Sequence, residues 1–134
     1  MSGYLLDTNQ LSEAIRPVSL VRERIAQERS AGVRIGTCVP VLCELEAGIQ
    51  SLVKRDAYRR TLDRLLVRVR LWPIEREVAL TYGTVFQELR TRGRALSQVD
   101  MMLAALARVM DLTVVTADRD FDAFPDLRTE NWLA

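Results

Sequence analysis

The chain contains no histidine. That absence excludes a Ser–His–Asp or Cys–His nucleophile, an imidazole general base and any His-containing zinc site. Its two cysteines, Cys38 and Cys43, are too few for a four-thiolate metal site or a disulfide framework. Aromatic residues make up only 6% of the chain, and Tyr58, Trp72, Tyr82 and Phe86 are too scattered to suggest a base-stacking platform. Lysine is nearly missing as well: Lys54 is the single one among 19 basic residues. The rest are arginines, whose planar fork suits phosphates and carboxylates, although base composition of the genome accounts for most of such a bias. No uncharged run approaches the roughly 20 residues needed to span a bilayer. Met1 to Asp7 offers neither a basic nor a long apolar leader, so the cytoplasm is the expected compartment.

What is present is a globular composition. The 134 residues are 49% hydrophobic and 28% charged, with a net charge of +1. That length suits one domain, 1–134, able to bury a core without staples. A near-zero net charge does not mark a bulk polyanion binder. Any acid–base or metal chemistry must come mainly from carboxylates.

Hydrophobic periodicity divides the chain into alternating strands and helices. Tyr4–Leu6 is a short buried strand. Helices are expected over Leu11–Arg16, stopped by Pro17, and over Val18–Ser30, closed by Gly32. Val33–Cys38 is a strand rich in β-formers. Helices follow at Val41–Val53 and Arg55–Val67. A short strand lies within Val69–Ile74, and a helix over Glu75–Arg92 closes at Gly93. Gln98–Met110 is a helix apolar nearly all round. Leu112–Thr116 is a strand, and Leu127–Trp132 adds an edge strand. Such alternation predicts an α/β fold with a mostly parallel central sheet flanked by helices. In such sheets ligands bind outside the carboxyl ends of the strands, where strand order reverses.

Two strands end directly in acids, Asp7 and Asp118, and two helices add further candidates. Asp7 ends the first strand, and its plain reading is a turn in which Thr8 or Asn9 caps the next helix. Asp118 follows the strand ending at Thr116, where an N-cap is the ordinary role; Asp120 competes with it for the site. Asp100 lies in Ser97-Gln98-Val99-Asp100, a Ser-x-x-acid capping box. Yet it shares a helix face with Ala104 and Ala107, which predicts partial burial and hence a partner or a cation. In Val41–Val53 both Glu44 and Glu46 are candidates, and a helical wheel puts Glu46 nearer the apolar face. Converging carboxylates repel one another unless a cation is present. A hard dication accepts oxygen ligands and substrate phosphate, activates water and neutralises phosphodiester charge. A nuclease of that type needs no histidine.

The motifs themselves resemble those of a known family. Leu5-Leu6-Asp7-Thr8-Asn9-Gln10-Leu11-Ser12 resembles the opening of PIN-domain ribonucleases, especially VapC toxins of bacterial toxin–antitoxin pairs. Val41-Leu42-Cys43-Glu44-Leu45-Glu46-Ala47-Gly48-Ile49 resembles the second motif of that family. Gln98 to Ala105 resembles the third, an Asp heading an Ala-rich helix, and Leu112 to Phe121 the fourth. Leu127 to Trp132 resembles the usual tail. The resemblance runs the length of the chain and implies a PIN-like fold and metal-dependent endoribonuclease activity. It implies Asp7, Glu44, Asp100 and Asp118 as catalytic acids, with Asp7 and Asp100 as the main ligands of Mg²⁺ or Mn²⁺. Glu44 and Asp118 would then act through water or a second metal. Thr8, Asn9 and Thr116 would orient the acids, and Asp120 remains the alternative to Asp118. A VapB-type antitoxin, with an Arg or Lys reaching the carboxylates, and a homodimer are further implications.

Other readings stay open. A PIN fold without cleavage would be a protein- or RNA-binding module. An aspartyl-nucleophile phosphatase fits less well, because Asp7-Thr8-Asn9 lacks a second Asp two residues on. For RNA contact the sequence offers two basic segments. Lys54–Arg70 carries seven basic residues against Asp56 and Asp63, with Arg60, Arg64 and Arg68 on one stripe. Arg90, Arg92 and Arg94 flank Gly93 just before the Asp100 helix and are slightly favoured.

Overall fold

A computed structural model describes residues 3–133. It contains a five-stranded sheet in the order β3-β2-β1-β4-β5. The strands are β1 (Gly3–Leu6), β2 (Ile35–Cys38), β3 (Arg70–Trp72), β4 (Leu112–Val115) and β5 (Thr129–Glu130). Every pairing is parallel, not merely most of them. The helices are α1 (Thr8–Ala14), α2 (Leu20–Ser30), α3 (Val39–Gln50), α4 (Arg55–Leu66), α5 (Arg76–Thr91) and α6 (Gln98–Met110). A 3-10 turn, Arg119–Ala123, follows β4.

β1 is central because it is apolar and buried, as a strand covered on both faces must be. It pairs with β2 on one side (Tyr4 opposite Ile35) and β4 on the other (Leu6 opposite Val115). The chain winds outward from β1 through β2 and β3, then returns to lay β4 against β1's free side. Strand order therefore reverses between β1 and β4, and the crevice at their carboxyl ends is where a ligand fits.

Local chemistry explains where the elements depart from expectation. α1 begins at Thr8 rather than Leu11, because the Asp7 side chain itself accepts Gln10 N–H at 2.9 Å and caps the helix. Thr8 and Asn9 are thus inside α1 and do not cap it. α3 begins at Val39 rather than Val41, since Pro40 falls in the first turn, where its missing N–H costs nothing. α6 spans the expected residues, with Ser97 as its cap and Asp111 closing it in the left-handed region at φ 54°. The edge strands β3 and β5 are shorter than expected.

The core lies on both faces of the sheet. Leu5, Leu6, Leu11, Leu106, Phe121 and Phe124 are fully or almost fully buried. Leu103 to Ala107 of α6 are buried without a break, which accounts for a helix that is apolar on nearly every side. The tail is fastened too. Trp132 packs edge-on against Tyr4 at 4.9 Å, with the Arg24 guanidinium over its ring. Gln10, wholly buried, donates to Asn131 and accepts from the Trp132 N–H. Among the described residues no helix is long and apolar enough to cross a membrane.

Gly36 sits where β2 passes under Trp72. A Cβ there would lie 2.6 Å from the Arg70 carbonyl oxygen and 2.7 Å from the Trp72 ring. Gly36→Ala should therefore destabilise the fold by about 1–3 kcal/mol, as overpacking does. Urea denaturation checks this, and an unchanged midpoint would contradict the packing described.

Candidate active site

Four elements converge on the crevice at the carboxyl ends of β1 and β4. A cleft of about 290 Å³ is lined by Asp7, Thr8, Asn9, Glu44, Ser97, Asp100 and Asp118. All four acids singled out in the sequence thus share one cleft, and none of the lining residues is basic. Each arrives by a different route. Asp7 is carried by the β1–α1 junction, Glu44 by α3, Asp100 by the first turn of α6, and Asp118 by the segment after β4.

Asp7 is the deepest of them, at 5% exposure. A buried carboxylate must be hydrogen-bonded. Oδ1 accepts Gln10 N–H, and Oδ2 accepts the Thr116 hydroxyl at 2.6 Å. Thr116 Oγ1 in turn accepts the Asp118 N–H at 3.0 Å. One hydroxyl therefore sets the positions of two acids on neighbouring strands. Burial pushes the Asp7 carboxyl above its ordinary range; the Thr116 and Gln10 hydrogen bonds pull it back, and the Asp118 charge raises it.

Asp100 is half-buried, and its backbone N–H donates to the Ser97 hydroxyl at 3.1 Å. Burial pushes its carboxyl up to about 6, opposed by the Ser97 hydrogen bond and reinforced by the charges of Asp118, Asp7 and Glu44. Asp118 caps the 3-10 turn by accepting the Asp120 N–H at 2.8 Å, so it fills the ordinary N-cap role while still lining the cleft.

Both ambiguous pairs separate clearly. Glu44 is exposed toward the cleft and accepts a hydrogen bond from the Thr8 hydroxyl. Glu46 is the more buried of the two, as the wheel indicated, but its carboxylate is taken by Arg59 of α4 at 2.9 Å. Asp120 lies outside the cleft lining and faces Arg94 at 3.8 Å. Of the favoured arginine cluster, Arg92 donates to the Ala123 carbonyl and ties the α5–α6 connection to the 3-10 turn.

Two contributors escaped the sequence reading. Gln10 seats the first turn of α1 against the tail. A glutamine beside Leu11 and Ala14 signals a buried polar group, but nothing in the sequence names Asn131 as its partner. Ser97 is readable as a cap, but not as part of the cleft wall.

The donor set is entirely oxygen, which suits a hard divalent cation. Among the described residues, no three acidic or cysteine side chains are grouped so as to hold one ion between them. The set fits a cation that takes one or two carboxylates and keeps its waters, as Mg²⁺ does. Each Asp7 oxygen uses one lone pair internally and has a second for such a ligand.

An open parallel α/β sheet with a carboxylate cleft at its switch point defines the class of domain. The chain belongs to the PIN domain family, whose profile matches residues 4–127. It is 28% identical over 132 residues to Ribonuclease VapC2 of Rickettsia felis, covering 96% of this chain and 97% of that one. It is 28% identical over 137 residues to the tRNA(fMet)-specific endonuclease VapC of Shigella flexneri, covering 98% and 99%. The toxin–antitoxin complex VapBC2 of Rickettsia felis, solved with a fragment of promoter DNA, contains a similar chain. The match has a TM-score of 0.87 and 26% identity, and covers 96% of this chain and 98% of that one.

The raised carboxyls carry a pH signature in the metal-free protein. A group whose folded pKa lies above its unfolded value favours folding at low pH and loses that contribution as pH rises through the folded pKa. For Asp100 that window runs from the ordinary carboxylate range to about 6. Asp100→Asn should therefore melt higher than the parent at pH 7.5 in EDTA, and the difference should close toward pH 4. Parallel melting curves across that range would contradict the electrostatic account.

Proposed function

We propose that this protein is a metal-dependent endoribonuclease that acts as the toxin of a toxin–antitoxin pair. The observation that carries the proposal is the convergence of Asp7, Glu44, Asp100 and Asp118 on one cleft in a chain without histidine. The ribonuclease names of full-length relatives and the solved VapBC complexes support it.

In this reading Asp7 and Asp100 hold Mg²⁺ or Mn²⁺. The cation, when bound, supplies an activated water and neutralises charge on the phosphodiester. Asp7, which lines the cleft, is held in place by the Thr116 hydroxyl and the Gln10 N–H. Glu44 is steadied by the Thr8 hydroxyl, and Asp118 by its hydrogen bonds to Thr116 and Asp120. Both add negative charge that favours a cation over a bare anionic substrate. Asn9, exposed at the cleft rim, is a polar contact for the RNA strand. The partner is a VapB-type antitoxin whose basic side chain enters the acidic cleft and neutralises it, with a homodimer as the assembled form.

Cleavage of RNA should disappear in EDTA and return with Mg²⁺ or Mn²⁺, and Asp7→Asn should abolish both cleavage and growth arrest. Undiminished cleavage in chelator would refute the mechanism. Binding of RNA without any cleavage in either metal would favour the alternative, a PIN-fold binding module.

The ambiguous acids give a sharper test. Glu44→Gln and Asp118→Asn should each reduce the cleavage rate by at least about tenfold, the scale of a lost positioned ligand. Glu46→Gln and Asp120→Asn should retain most of it, because their carboxylates serve Arg59 and Arg94. Single-turnover rates on the four variants decide the matter, and the reverse ranking would overturn the assignment.

A further inference from the structure

The cleft poses an electrostatic problem that its own lining does not solve. It presents four carboxylates and no basic side chain, yet an RNA strand brings a phosphate with every nucleotide. Cations must come from the rim, and the arginines differ in how free they are to serve. Arg59, Arg108 and Arg128 are held by carboxylates at 2.7–2.9 Å, within hydrogen-bond distance. Arg94 and Arg119 are not. Arg94 faces Asp120 at 3.8 Å and Arg119 faces Asp122 at 4.0 Å, with all four side chains substantially exposed. Exposed pairs at such distances contribute little, so exchanging the carboxylate for a phosphate costs little.

Both arginines belong to segments that carry cleft residues. Arg119 directly follows Asp118. Arg94 lies three residues before Ser97, and the Asp120 it faces donates its N–H to Asp118. The Arg92 bond to the Ala123 carbonyl joins the two segments, so the rim is one unit rather than two independent loops. We propose that Arg94 and Arg119 form a cationic rim beside Asp100 and Asp118 that takes backbone phosphates of the RNA flanking the cleaved bond. Their present carboxylate partners, Asp120 and Asp122, are readily exchanged for phosphate. This rests on RNA being the substrate. The guanidinium fork matches two phosphate oxygens at once, which gives the strand a defined register over the cleft.

The stripe of Arg60, Arg64 and Arg68 on α4 supplies the comparison. It removes more charge when mutated and lies on α4, an element that contributes no residue to the cleft lining. A short fluorescein-labelled single-stranded RNA, titrated in Mg²⁺ against the Asp7→Asn protein to prevent turnover, reports affinity and its salt dependence. Adding Arg94→Gln and Arg119→Gln should weaken binding about fivefold or more and lower the log–log salt slope by about 1.4, the value for two lost single-strand phosphate contacts. Arg94→Lys with Arg119→Lys should keep most of the slope, which a purely structural role for the arginines would not. In the active protein the Gln pair should raise KM with little change in kcat. Replacing Arg60, Arg64 and Arg68 by Gln should leave the slope near that of the parent. If that triple variant loses as much as the rim pair, attraction is diffuse and the rim is refuted. If the wild-type protein cleaves RNA and the Gln pair keeps full affinity and slope, the rim alone is refuted. If the wild-type protein neither binds nor cleaves RNA, the functional reading fails and the rim with it.

Discussion

A carboxylate buried at the end of the central strand is the constraint on which the site depends. Asp7 is almost inaccessible, and a buried charge without hydrogen bonds is strongly disfavoured. Its two oxygens are answered by two different parts of the fold, the first turn of α1 and the end of β4. The bond from Thr116 crosses the boundary at which strand order reverses. That single hydroxyl closes the junction between the two halves of the sheet and aims an acid into the crevice there. Where the neighbouring acids stand follows from it: Asp118 hangs from the same hydroxyl, and Asp100 heads the helix that leads into β4.

Gathering carboxylates into one cleft carries an electrostatic strain. Burial, reinforced by the charges of Asp118, Asp7 and Glu44, pushes the Asp100 carboxyl up to about 6, and burial raises Asp7 as well. Such strain is characteristic of functional sites, where folding stability is traded for a preorganised charge. Elsewhere the molecule spends its arginines on relief. Arg22 gathers the carbonyls of Ala14 and Pro17 where α1 ends, Arg59 neutralises Glu46, and Arg108 bridges Glu88 and Asp126 while stacked over Phe124. No arginine lines the cleft, so its carboxylates carry no such partner there.

Legibility in the sequence followed the range of the interactions. α6 was readable residue by residue, because its cap, its apolar periodicity and its end all lie within the segment itself. α1 was misplaced by three residues, because Asp7 serves as cap and cleft acid together, and the periodic pattern records only the apolar residues. The edge strands were overestimated, since apolar runs continue past the point where a partner strand remains to pair with. The wheel ranked Glu46 above Glu44 in burial, correctly, yet Glu44 is the one that lines the cleft. Arg59 makes Glu46 a structural ion pair, and α4 is too distant in sequence for a wheel to include it.

The sequence by itself determined the class of fold and the chemistry available. Alternating strand and helix periods argue for a mostly parallel sheet, and the absence of histidine leaves carboxylates as the main source of acid–base or metal chemistry. Those are properties of composition and short-range pattern, and they survive any rearrangement of distant segments. Only the tertiary structure decided that Asp7, Glu44, Asp100 and Asp118 share a cleft, that Asp120 stands outside it, and that Gln10 fastens α1 to the tail through Asn131. Each of these depends on strand order and on pairs more than thirty residues apart. Such contacts form only when the chain closes around its core, and no local preference encodes which distant side chain will be waiting there.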